Sequence, residues 1–353
     1  MDELLVPYCE AIREAVSAGT ALRIRGGGTK DFLGRHPDGA VLDMRPLAGI
    51  VDYEPTELVV TARGGTSLAA VERELTAQGQ FFAFEPPRFG GDPTIGGMVA
   101  AGLSGPRRAS SGALRDYVLG ATVVDGTSRV LRFGGSVMKN VAGFDVSRLM
   151  AGSCGILGVI VDVSLRVMPR PEVEHTLTFD LGAAEAIAAF NRWSRLPFPL
   201  SGTTWFDGRA SVRLSGAEAA VRTACRTLGG TALGCDEARA HWTSVRDHTH
   251  VFLAPRVPLW RLSVPSTAPT LPLSGSLLIE WNGALRWLRS DAPAQDVHAA
   301  VRAVGGSASL WHAADDAGAT IALDPTSLAI HRRLKQSFDP SGILNPGRLI
   351  DGL

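Results

Sequence analysis

The sequence predicts an α+β fold made of a larger mixed region followed by a shorter α+β region. Three observations predict it. Helical and strand-like hydrophobic patterns are interleaved from Leu4 to Met168, the segment Pro169-Arg170-Pro171 interrupts them, and strands again mix with helices beyond it. Because two prolines within three residues exclude both a helix and a central strand, we place a domain boundary between residues 168 and 169. The 353 residues suffice for two domains of ordinary size.

The N-terminal region begins with a helix, since apolar residues recur at helical spacing from Leu4 to Val16 and the pattern ends near Gly19. Ser67 is the predicted cap of a second helix, which has apolar residues along one face. The predicted strands are Leu22–Arg25 and residues 41–43, 50–53, 58–62, 117–124 and 129–133, with a β-rich run over residues 156–168.

The C-terminal region mixes both patterns as well. Asn282-Gly283 is a strong signal for a two-residue hairpin, and Asp207-Gly208 marks another turn. The predicted strands are residues 176–181, 203–214 as a hairpin, 259–264, 277–281, 284–288 and Ser307–His312; the predicted helices are residues 183–196, 217–228, 294–304 and 328–338.

Composition excludes several classes of function. Lys plus Arg and Asp plus Glu number 35 each, so no net field favours a nucleic acid or an anionic membrane as a partner. No apolar run approaches the ~20 residues of a spanning helix, and the acidic, amphipathic N-terminus is unlike a secretory signal. Cys9, Cys154, Cys225 and Cys235 form no C-x-x-C pair, which disfavours an iron–sulfur cluster. We therefore expect buried thiols in a reducing cytosol.

The stretch of residues 92–120 is rich in glycine and small residues. Pro93 and Thr94 predict a helix start. Gly96 and Gly97 then fall in the first turn, where each weakens a helix by about 1 kcal/mol relative to Ala. Glycines at these two positions therefore indicate that a side chain is not tolerated there. The reason is either the close approach of a flat or anionic ligand or a tight helix crossing.

A second glycine cluster, Gly26-Gly27-Gly28-Thr29-Lys30, follows the first predicted strand. Three adjacent glycines can take positive φ without the penalty of a side chain, and so can turn successive N–H groups toward an anion. Neither cluster fits the dinucleotide fingerprint or the phosphate loop that ends in Gly-Lys-Ser/Thr. A pyrophosphate held by two separate glycine loops, without a Rossmann unit, points toward one class of flavoproteins.

These segments give the chain a recognisable pattern. With RIRGGGTKDFLGR, TIGGMVAAGLSGPRR, KNVAGFDVSRLMAGSCGILGVI, WNGALRWL and FDPSGILNPGRL, it resembles FAD-binding chains of the vanillyl-alcohol oxidase type (the PCMH-type flavin fold). More closely, it is similar to the E-subunit family of bacterial glycolate oxidase, also called glycolate dehydrogenase. The resemblance covers essentially the whole chain. It implies a FAD-binding domain over residues 1–168 with two subdomains split near residue 62, an α+β cap over 169–325, and a segment over 326–353 that returns to the FAD domain.

The resemblance also implies the residues that bind FAD. They are Gly26, Gly27, Gly28, Thr29 and Lys30 around the pyrophosphate, Gly96, Gly97, Ser104, Gly112 and Asp116 in the second loop region, Gly158, Val159 and Ile160 at the adenine or flavin edge, and Asn345. The alternative role of Asn345 and Arg348 is to pin the C-terminus. Because no His or Cys lies near the first loop before His36, we expect noncovalent FAD.

The substrate side is predicted less fully. The metal signature of hydroxy-acid dehydrogenases of this fold is absent, and the His248-Thr249-His250 pair is expected to be exposed and to bind no metal. Arg261 and Arg286 on predicted strands are candidate anchors for the carboxylate of a 2-hydroxy acid, or else solvated side chains. Lys139 and Asn140 are expected near the flavin or at a subunit contact.

Three functions remain open from the sequence. The first is a FAD-binding subunit of a glycolate oxidase complex that works with a larger flavoprotein subunit and an iron–sulfur subunit, as the resemblance implies. The second is a self-contained flavin dehydrogenase that acts on a small hydroxy acid. The third is a structural flavin-binding subunit without turnover. The expected location is cytoplasmic, peripheral at the inner face of the cell membrane through partner subunits, with no transmembrane segment in this chain.

Overall fold

The structure is a computed structural model that describes residues 3–135, 145–253, 258–312, 323–350 and 353. It confirms the α+β class. Lys139 and Asn140 lie outside the described residues. The helices are α1 Val6–Ala18, α2 Leu68–Ala77, α3 Ile95–Ala101, α4 Arg108–Ser111, α5 Ala183–Trp193, α6 Glu218–Leu228, α7 Cys235–Arg246, α8 Ala294–Ala303 and α9 Pro325–Phe338.

The strands divide into two large and two small sheets. Those before residue 170 are β1 Leu22–Arg25, β2 Ala40–Asp43, β3 Ile50–Glu54, β4 Val59–Arg63, β5 Gln80–Phe81, β6 Val118–Val124, β7 Val130–Gly134, β8 Val159–Arg166 and β9 Met168–Pro169. Those after it are β10 Val173–Asp180, β11 Leu200–Phe206, β12 Arg209–Gly216, β13 Thr231–Ala232, β14 Leu259–Ser263, β15 Ser276–Glu280, β16 Leu285–Arg289 and β17 Ser307–His312.

The sheets follow this division of the chain. An antiparallel five-stranded sheet has the order β3-β4-β8-β6-β7, β1 pairs with β2 in parallel, and β5 pairs with β9. An antiparallel eight-stranded sheet has the order β13-β10-β12-β11-β15-β16-β14-β17. The domain boundary after residue 168 stays a prediction; the strand β9, which pairs with β5, continues one residue beyond it to Pro169. The split near residue 62 is not supported, because β4 lies between β3 and β8 within one sheet.

The five-stranded sheet is buried on both faces. Val123 and Val163 pack with the apolar residues of α2 and α3 on one side. Val124 and Val161 pack with α1, β1 and β2 on the other. This follows from the alternation of side chains along a strand, which gives central strands such as β6 and β8 a nearly continuous apolar sequence. The sheet therefore fixes the positions of β1 and α3, the two elements that adjoin the glycine loops.

Side-chain caps confirm the predicted starts of two helices. Ser67 Oγ accepts a hydrogen bond from the N–H of Ala70 at the start of α2, and Thr94 Oγ1 accepts one from the N–H of Gly97 at the start of α3. Each cap satisfies a donor that the first helical turn leaves unpaired.

The C-terminal segment packs against the N-terminal region. The Lys335 side chain is buried and donates to Asp339 Oδ2 at 2.6 Å and to the carbonyls of Ile156 and Leu344. Leu344 also forms a parallel bridge with Leu22 of β1. The tail thus extends the small β1–β2 sheet and reaches the same region as the glycine loops.

Three details differ from the sequence predictions. Helix α7 was not predicted, because only Trp242 and Val245 of its residues are buried and its apolar pattern is weak. The connection between β15 and β16 has four residues, 281–284, because Glu280 pairs with Leu285; Trp281 takes φ 51° there. The expectation of buried thiols holds for Cys9 and Cys154 but not for Cys235, which is exposed.

No helix in the described part of the chain is both long enough and apolar enough to cross a lipid bilayer.

Candidate functional site

The first glycine cluster faces a cavity between β1, α3 and the start of β8, which we call the first cavity. Its wall combines glycine backbone, apolar side chains and three cations. The residues that line it include Ile24, Arg25, Gly26, Gly27, Gly28, Thr29, Lys30, Leu33, Met44, Gly96, Gly97, Cys154, Gly155, Gly158, Ile160, Asn345 and Arg348.

The first glycine loop, residues 26–30, presents unpaired backbone donors. None of its five N–H groups donates to an acceptor within the described residues. A row of unpaired backbone donors on a cavity wall fits a polar or anionic ligand. Only Gly28 has positive φ, at 72°. Gly26 and Gly27 do not use the freedom to take positive φ that the absence of a side chain gives them.

At Gly26 and Gly27 a side chain is excluded for a different reason, a collision with neighbouring atoms. A Cβ at Gly27 would lie 2.2 Å from the carbonyl oxygen of Asp92, and one at Gly26 would lie 2.2 Å from Thr94 Oγ1. Gly91 likewise approaches Thr29. The two glycine segments are thus packed against each other, so that the second segment holds the first loop in place.

The glycines of the second segment use their own donors internally. The N–H of Gly96 donates to the carbonyl of Gly64 at 2.7 Å, and the N–H of Gly97 donates to Thr94 Oγ1 at 3.2 Å. A Cβ at Gly96 would lie 2.9 Å from the Gly64 oxygen. Both glycines line the first cavity, but neither offers its N–H group to a ligand, and Gly96 lets α3 pack closely against residue 64.

The loop before β8 forms the third wall. Gly155 and Gly158 line the cavity, and the N–H groups of Gly155, Leu157 and Gly158 donate to no acceptor within the described residues. The predicted Ile160 lines the cavity as well. The predicted Val159 does not, since its side chain is in the core beside α1.

Three other predicted residues lie outside the first cavity. Ser104 Oγ accepts from the N–H of Leu114 at 3.0 Å. Asp116 Oδ2 accepts from the N–H of Ala113 at 2.9 Å, and Gly112 ends α4 with φ 94°. Gly112 and Asp116 therefore shape the turn between α4 and β6. The structure does not bring them to the cavity.

Two cations flank the first loop, the buried Lys30 and the half-buried Arg348. Burial lowers the pKa of Lys30 to about 8, and its Nζ lies 5.5 Å from the centre of the Phe89 ring. Arg348 Nη2 donates to the Lys30 carbonyl at 2.9 Å, and burial lowers the pKa of Arg348. A third cation, Arg25, is already paired with Asp31 at 2.8 Å.

Asn345 joins two walls of the cavity. Its Oδ1 accepts from the N–H of Ile24 at 2.8 Å, and its Nδ2 donates to the carbonyl of Cys154 at 2.7 Å. The side chain is 2% exposed. Its hydrogen bonds are therefore those of a residue that pins the C-terminal segment, the alternative considered from the sequence, and they place it at the cavity.

Cys154 is the cysteine whose position bears on covalent attachment of the flavin. It is far from the first loop in sequence, yet it lines the first cavity. The expectation that no cysteine lies near the loop is wrong, since tertiary packing brings this one there. Burial raises the pKa of the Cys154 thiol, which keeps it protonated and weakly nucleophilic.

A second cavity lies between the segment after α3 and the eight-stranded sheet. Four arginines and one carboxylate line it, together with three tryptophans. They are Arg108, Arg115, Arg246, Arg261, Glu280, Trp281, Trp287 and Trp311, with Gly102, Ser104, Ala151 and His248 among the others. The Trp281 Nε1 donates to the carbonyl of Gly105 at 3.0 Å, so a hydrogen bond crosses from the sheet to the glycine-rich segment.

Arg261 and Arg108 are held by aromatic rings. Their guanidinium groups lie 5.4 Å and 4.5 Å from the centre of the Trp281 ring. Neither makes a hydrogen bond or an ion pair within the described residues. Burial, reinforced by nearby Arg108, lowers the pKa of Arg261 to about 10. Both arginines remain charged at neutral pH and are available to an anion.

Glu280 is the acidic group of the second cavity. It is 4% exposed, and its Oε1 accepts from Trp287 Nε1 at 2.7 Å. Burial raises the pKa of Glu280 to about 7, against the opposing effects of the Trp287 hydrogen bond and Arg261. The carboxyl therefore changes charge near neutral pH.

Arg286 does not reach the second cavity. Arg261 pairs across the sheet with Trp287, whereas Arg286 pairs with Leu262, so the two arginines lie on opposite faces. Arg286 is 1% exposed and donates to the carbonyls of Gly283, Ala268 and Pro269. These bonds explain how a strand tolerates a buried arginine. They also correct the prediction of Arg286 as a carboxylate anchor.

The histidine pair lies in two different surroundings. His248 stacks on Trp311 at 5.5 Å, and His250 packs edge-on against Phe206. Both are half-buried, contrary to the expected exposed segment. The described residues hold no group of three or more His, Cys, Asp or Glu side chains placed for a metal ion.

Sequence reasoning missed Arg108 and Glu280 as site residues. Arg108 belongs to the Gly-Pro-Arg-Arg segment and Glu280 directly precedes the Trp-Asn-Gly segment. Both segments were noted as motifs, but only the tertiary structure brings these side chains to one cavity.

The first cavity fits FAD in its chemistry. Unpaired N–H groups and two cations suit a pyrophosphate, and Ile24, Leu33, Met44 and Ile160 provide apolar wall. A family model for the FAD binding domain matches residues 8–134, and one for the C-terminal domain of FAD linked oxidases matches residues 291–349.

Several known proteins are similar to this chain. Glycolate oxidase subunit GlcE of Escherichia coli (strain K12) is 44% identical over 96% of this chain and 95% of its own length. Glycolate oxidase subunit GlcD of Bacillus subtilis (strain 168) is 33% identical over 43% of this chain and 33% of its own length. A D-lactate dehydrogenase of Anaerostipes hadrus is 32% identical over 38% of this chain and 28% of its own length.

A solved structure shares the fold. Alkyldihydroxyacetonephosphate synthase superimposes with a TM-score of 0.68 at 14% sequence identity, over 96% of this chain and 74% of that chain. The chain therefore belongs to the FAD-linked oxidases, a family of oxidoreductases that bind FAD, and within that family it groups with GlcE-type glycolate oxidase subunits.

Proposed function

We propose that this chain is the FAD-binding subunit of a multi-subunit glycolate oxidase, which oxidises glycolate to glyoxylate and passes the electrons on through partner subunits. The observation that carries the proposal is the similarity to GlcE over almost the whole chain. The first cavity supplies the physical basis, because its unpaired donors and cations suit the cofactor of this family.

The residues of the first cavity divide the binding between them. The N–H groups of residues 26–30 bind the pyrophosphate, with Lys30 and Arg348 supplying charge. The N–H groups of Gly155 and Gly158 bind a polar edge of the cofactor, and Ile160 contacts a ring face. FAD, when bound, supplies a two-electron oxidant. Attachment is noncovalent, since the Cys154 thiol stays protonated.

The partners are a larger flavoprotein subunit and an iron–sulfur subunit. Passing two electrons singly to an acceptor calls for one-electron carriers, and iron–sulfur clusters are held by sets of closely spaced thiolates. The four cysteines of this chain are scattered in sequence, so a cluster would belong to another subunit. The assembly works on the cytoplasmic side of the membrane, peripherally and through those partners.

The test is to purify an affinity-tagged copy of the chain from cells that produce the whole assembly, and separately the chain alone. We expect the assembly to contain flavin and iron and to reduce an artificial acceptor with glycolate. We expect the chain alone to be yellow but to turn over poorly. A colourless chain that takes up no added FAD would contradict the cofactor assignment, and an assembly without glycolate-dependent reduction would contradict the function.

A self-contained hydroxy-acid dehydrogenase is the second candidate, and the second cavity favours it. Arg108 and Arg261 could bind a carboxylate there without any partner chain. Glycolate-dependent reduction of the acceptor by the chain alone, at the rate of the assembly, would select this function. A flavin that glycolate never bleaches, even in an active assembly, would instead indicate a structural flavin subunit.

A further inference from the structure

The second cavity has a charge pattern that nothing in FAD binding requires. Its arginines outnumber its carboxylates, yet the carboxylate is deeply buried. Arg246 is committed to Asp247 at 2.8 Å, and Arg115 lies 3.8 Å from Asp116. Arg108 and Arg261 are left without a carboxylate partner within the described residues. A cavity that keeps two unpaired guanidinium groups beside tryptophan rings fits a small anion.

The strand register places Glu280 beside this anion site. Glu280 and Leu278 point to the same face of β15, because they are two residues apart. Leu278 pairs with Trp287, and Trp287 pairs with Arg261, so Glu280 and Arg261 share the face that borders the cavity. Their charges influence each other without a salt bridge between them.

Two groups on this wall retain unused hydrogen-bonding capacity. Glu280 Oε1 is occupied by Trp287 Nε1, but Oε2 has no partner within the described residues. Trp311 Nε1 is buried and has no acceptor there. The second cavity is thus lined by one acceptor and one donor without partners, in addition to the two unpaired guanidinium groups. A hydroxyl group and a carboxylate together require such partners.

We propose that the second cavity binds a small 2-hydroxy monocarboxylate, in which Arg108 and Arg261 bind the carboxylate while Glu280 accepts a hydrogen bond from the hydroxyl group and repels a second carboxylate. This deepens the proposed function and rests on it for the hydroxy acid. Glu280 acts as the specificity residue, because an additional negative charge on the α-carbon would face its buried carboxylate at low dielectric.

The experiment compares glycolate with tartronate, which carries a second carboxylate on the same carbon. Binding to the flavin-loaded chain is followed by tryptophan fluorescence, since three tryptophans line the cavity, at pH 8.5, where Glu280 is mostly ionised. We expect the wild-type protein to bind glycolate at least tenfold more tightly than tartronate. In Glu280→Gln the ratio of the tartronate Kd to the glycolate Kd should fall at least tenfold, because the amide no longer carries the charge that repels a second carboxylate.

Two further variants make the result specific. Arg261→Met should lose affinity for both acids, and Glu57→Gln, a matched change at an exposed turn, should behave like the wild type. Flavin absorbance verifies that each variant is folded. Equal affinities for the two acids in the wild type, unchanged selectivity in Glu280→Gln, or no glycolate binding at all would each overturn the proposal.

The same experiment separates this inference from the proposed function. Glycolate turnover by the assembly with no glycolate binding to this chain would refute the second-cavity site and leave the function standing. Selective binding by the chain with no turnover by the assembly would refute the function and leave the site standing.

Discussion

The two glycine-rich segments are similar in composition and differ in what their backbones do. Residues 26–30 line the first cavity, and none of their five N–H groups donates to an acceptor in the described part of the chain. In the segment around Gly96 and Gly97 both N–H groups donate to acceptors within the protein, and Gly96 allows close contact with residue 64. The number of glycines therefore does not distinguish a ligand-binding loop from a segment of close backbone packing. The presence or absence of a protein acceptor for each backbone N–H group does distinguish them.

The largest effect should come from Gly27→Val in the first loop. Its Cβ would fall 2.2 Å from the Asp92 carbonyl oxygen, which is backbone and cannot move aside easily. The loop would have to shift, and its row of donors would shift with it. We expect the ratio of flavin to protein absorbance to fall more than tenfold while far-ultraviolet circular dichroism stays unchanged. Normal flavin content in Gly27→Val would contradict a ligand role for the loop.

The matched change in the second segment is Gly97→Ala, where the nearest atom to the added Cβ is Thr94 Oγ1 at 3.1 Å. Alanine is also the better helix former. We expect flavin content close to that of the wild type. A loss as large as in Gly27→Val would remove the distinction between the two segments.

Gly96→Ala should affect stability before it affects the cofactor. The new methyl group would lie 2.9 Å from the Gly64 oxygen and 3.0 Å from its Cα, and overpacking of this kind costs about 1–3 kcal/mol. We expect Tm to fall by several degrees while protein purified in the cold retains FAD. Flavin loss with an unchanged Tm would show that Gly96 contacts the ligand directly.

Lys30→Met tests the charge of the first loop while keeping the length of the side chain. A hydrogen bond to a charged group is worth about 1.5–3 kcal/mol, so we expect the Kd for FAD to rise roughly tenfold or more. The pKa of Lys30 is lowered to about 8, so the side chain carries its charge below that pH and loses it above. Affinity of the wild type should therefore decrease as pH rises above 8. A titration across pH 7 to 10 measures this, and the same decrease in Lys30→Met would assign it to another group.

Cys154→Ser should have the smallest effect. Since the thiol pKa is raised by burial, we expect no bond to the flavin, and acid should release all the flavin from both the wild type and the variant. Flavin that stays with the denatured wild-type protein but leaves the variant would identify Cys154 as a covalent tether.

The sequence was sufficient where the determining interactions are local. Ser67 and Thr94 cap their helices through hydrogen bonds that span three residues, and the first glycine loop follows β1 directly. Local sequence patterns could not reveal which backbone N–H groups lack an acceptor. That depends on tertiary packing, which brings Asp92 beside Gly27 and Gly64 beside Gly96. They also could not place Cys154 at the first cavity, or join Arg108, Arg261 and Glu280 across the second, because those contacts come from tertiary packing.

Helix α7 was not predicted because its hydrophobic pattern is weak. Helix α7 buries only Trp242 and Val245, so its hydrophobic period is faint. Its acidic first turn, with Asp236 and Glu237, and its final Arg246 are helix signals that could have identified it.

The double hydrogen bond of Asn345 has a consequence for the order of events in the cell. Residues 24 and 154 are joined through a side chain that is synthesised more than 300 residues after the first of them. The cofactor site therefore cannot close before Asn345 has been made and has packed between them, and its closure carries the entropic cost of a very long loop.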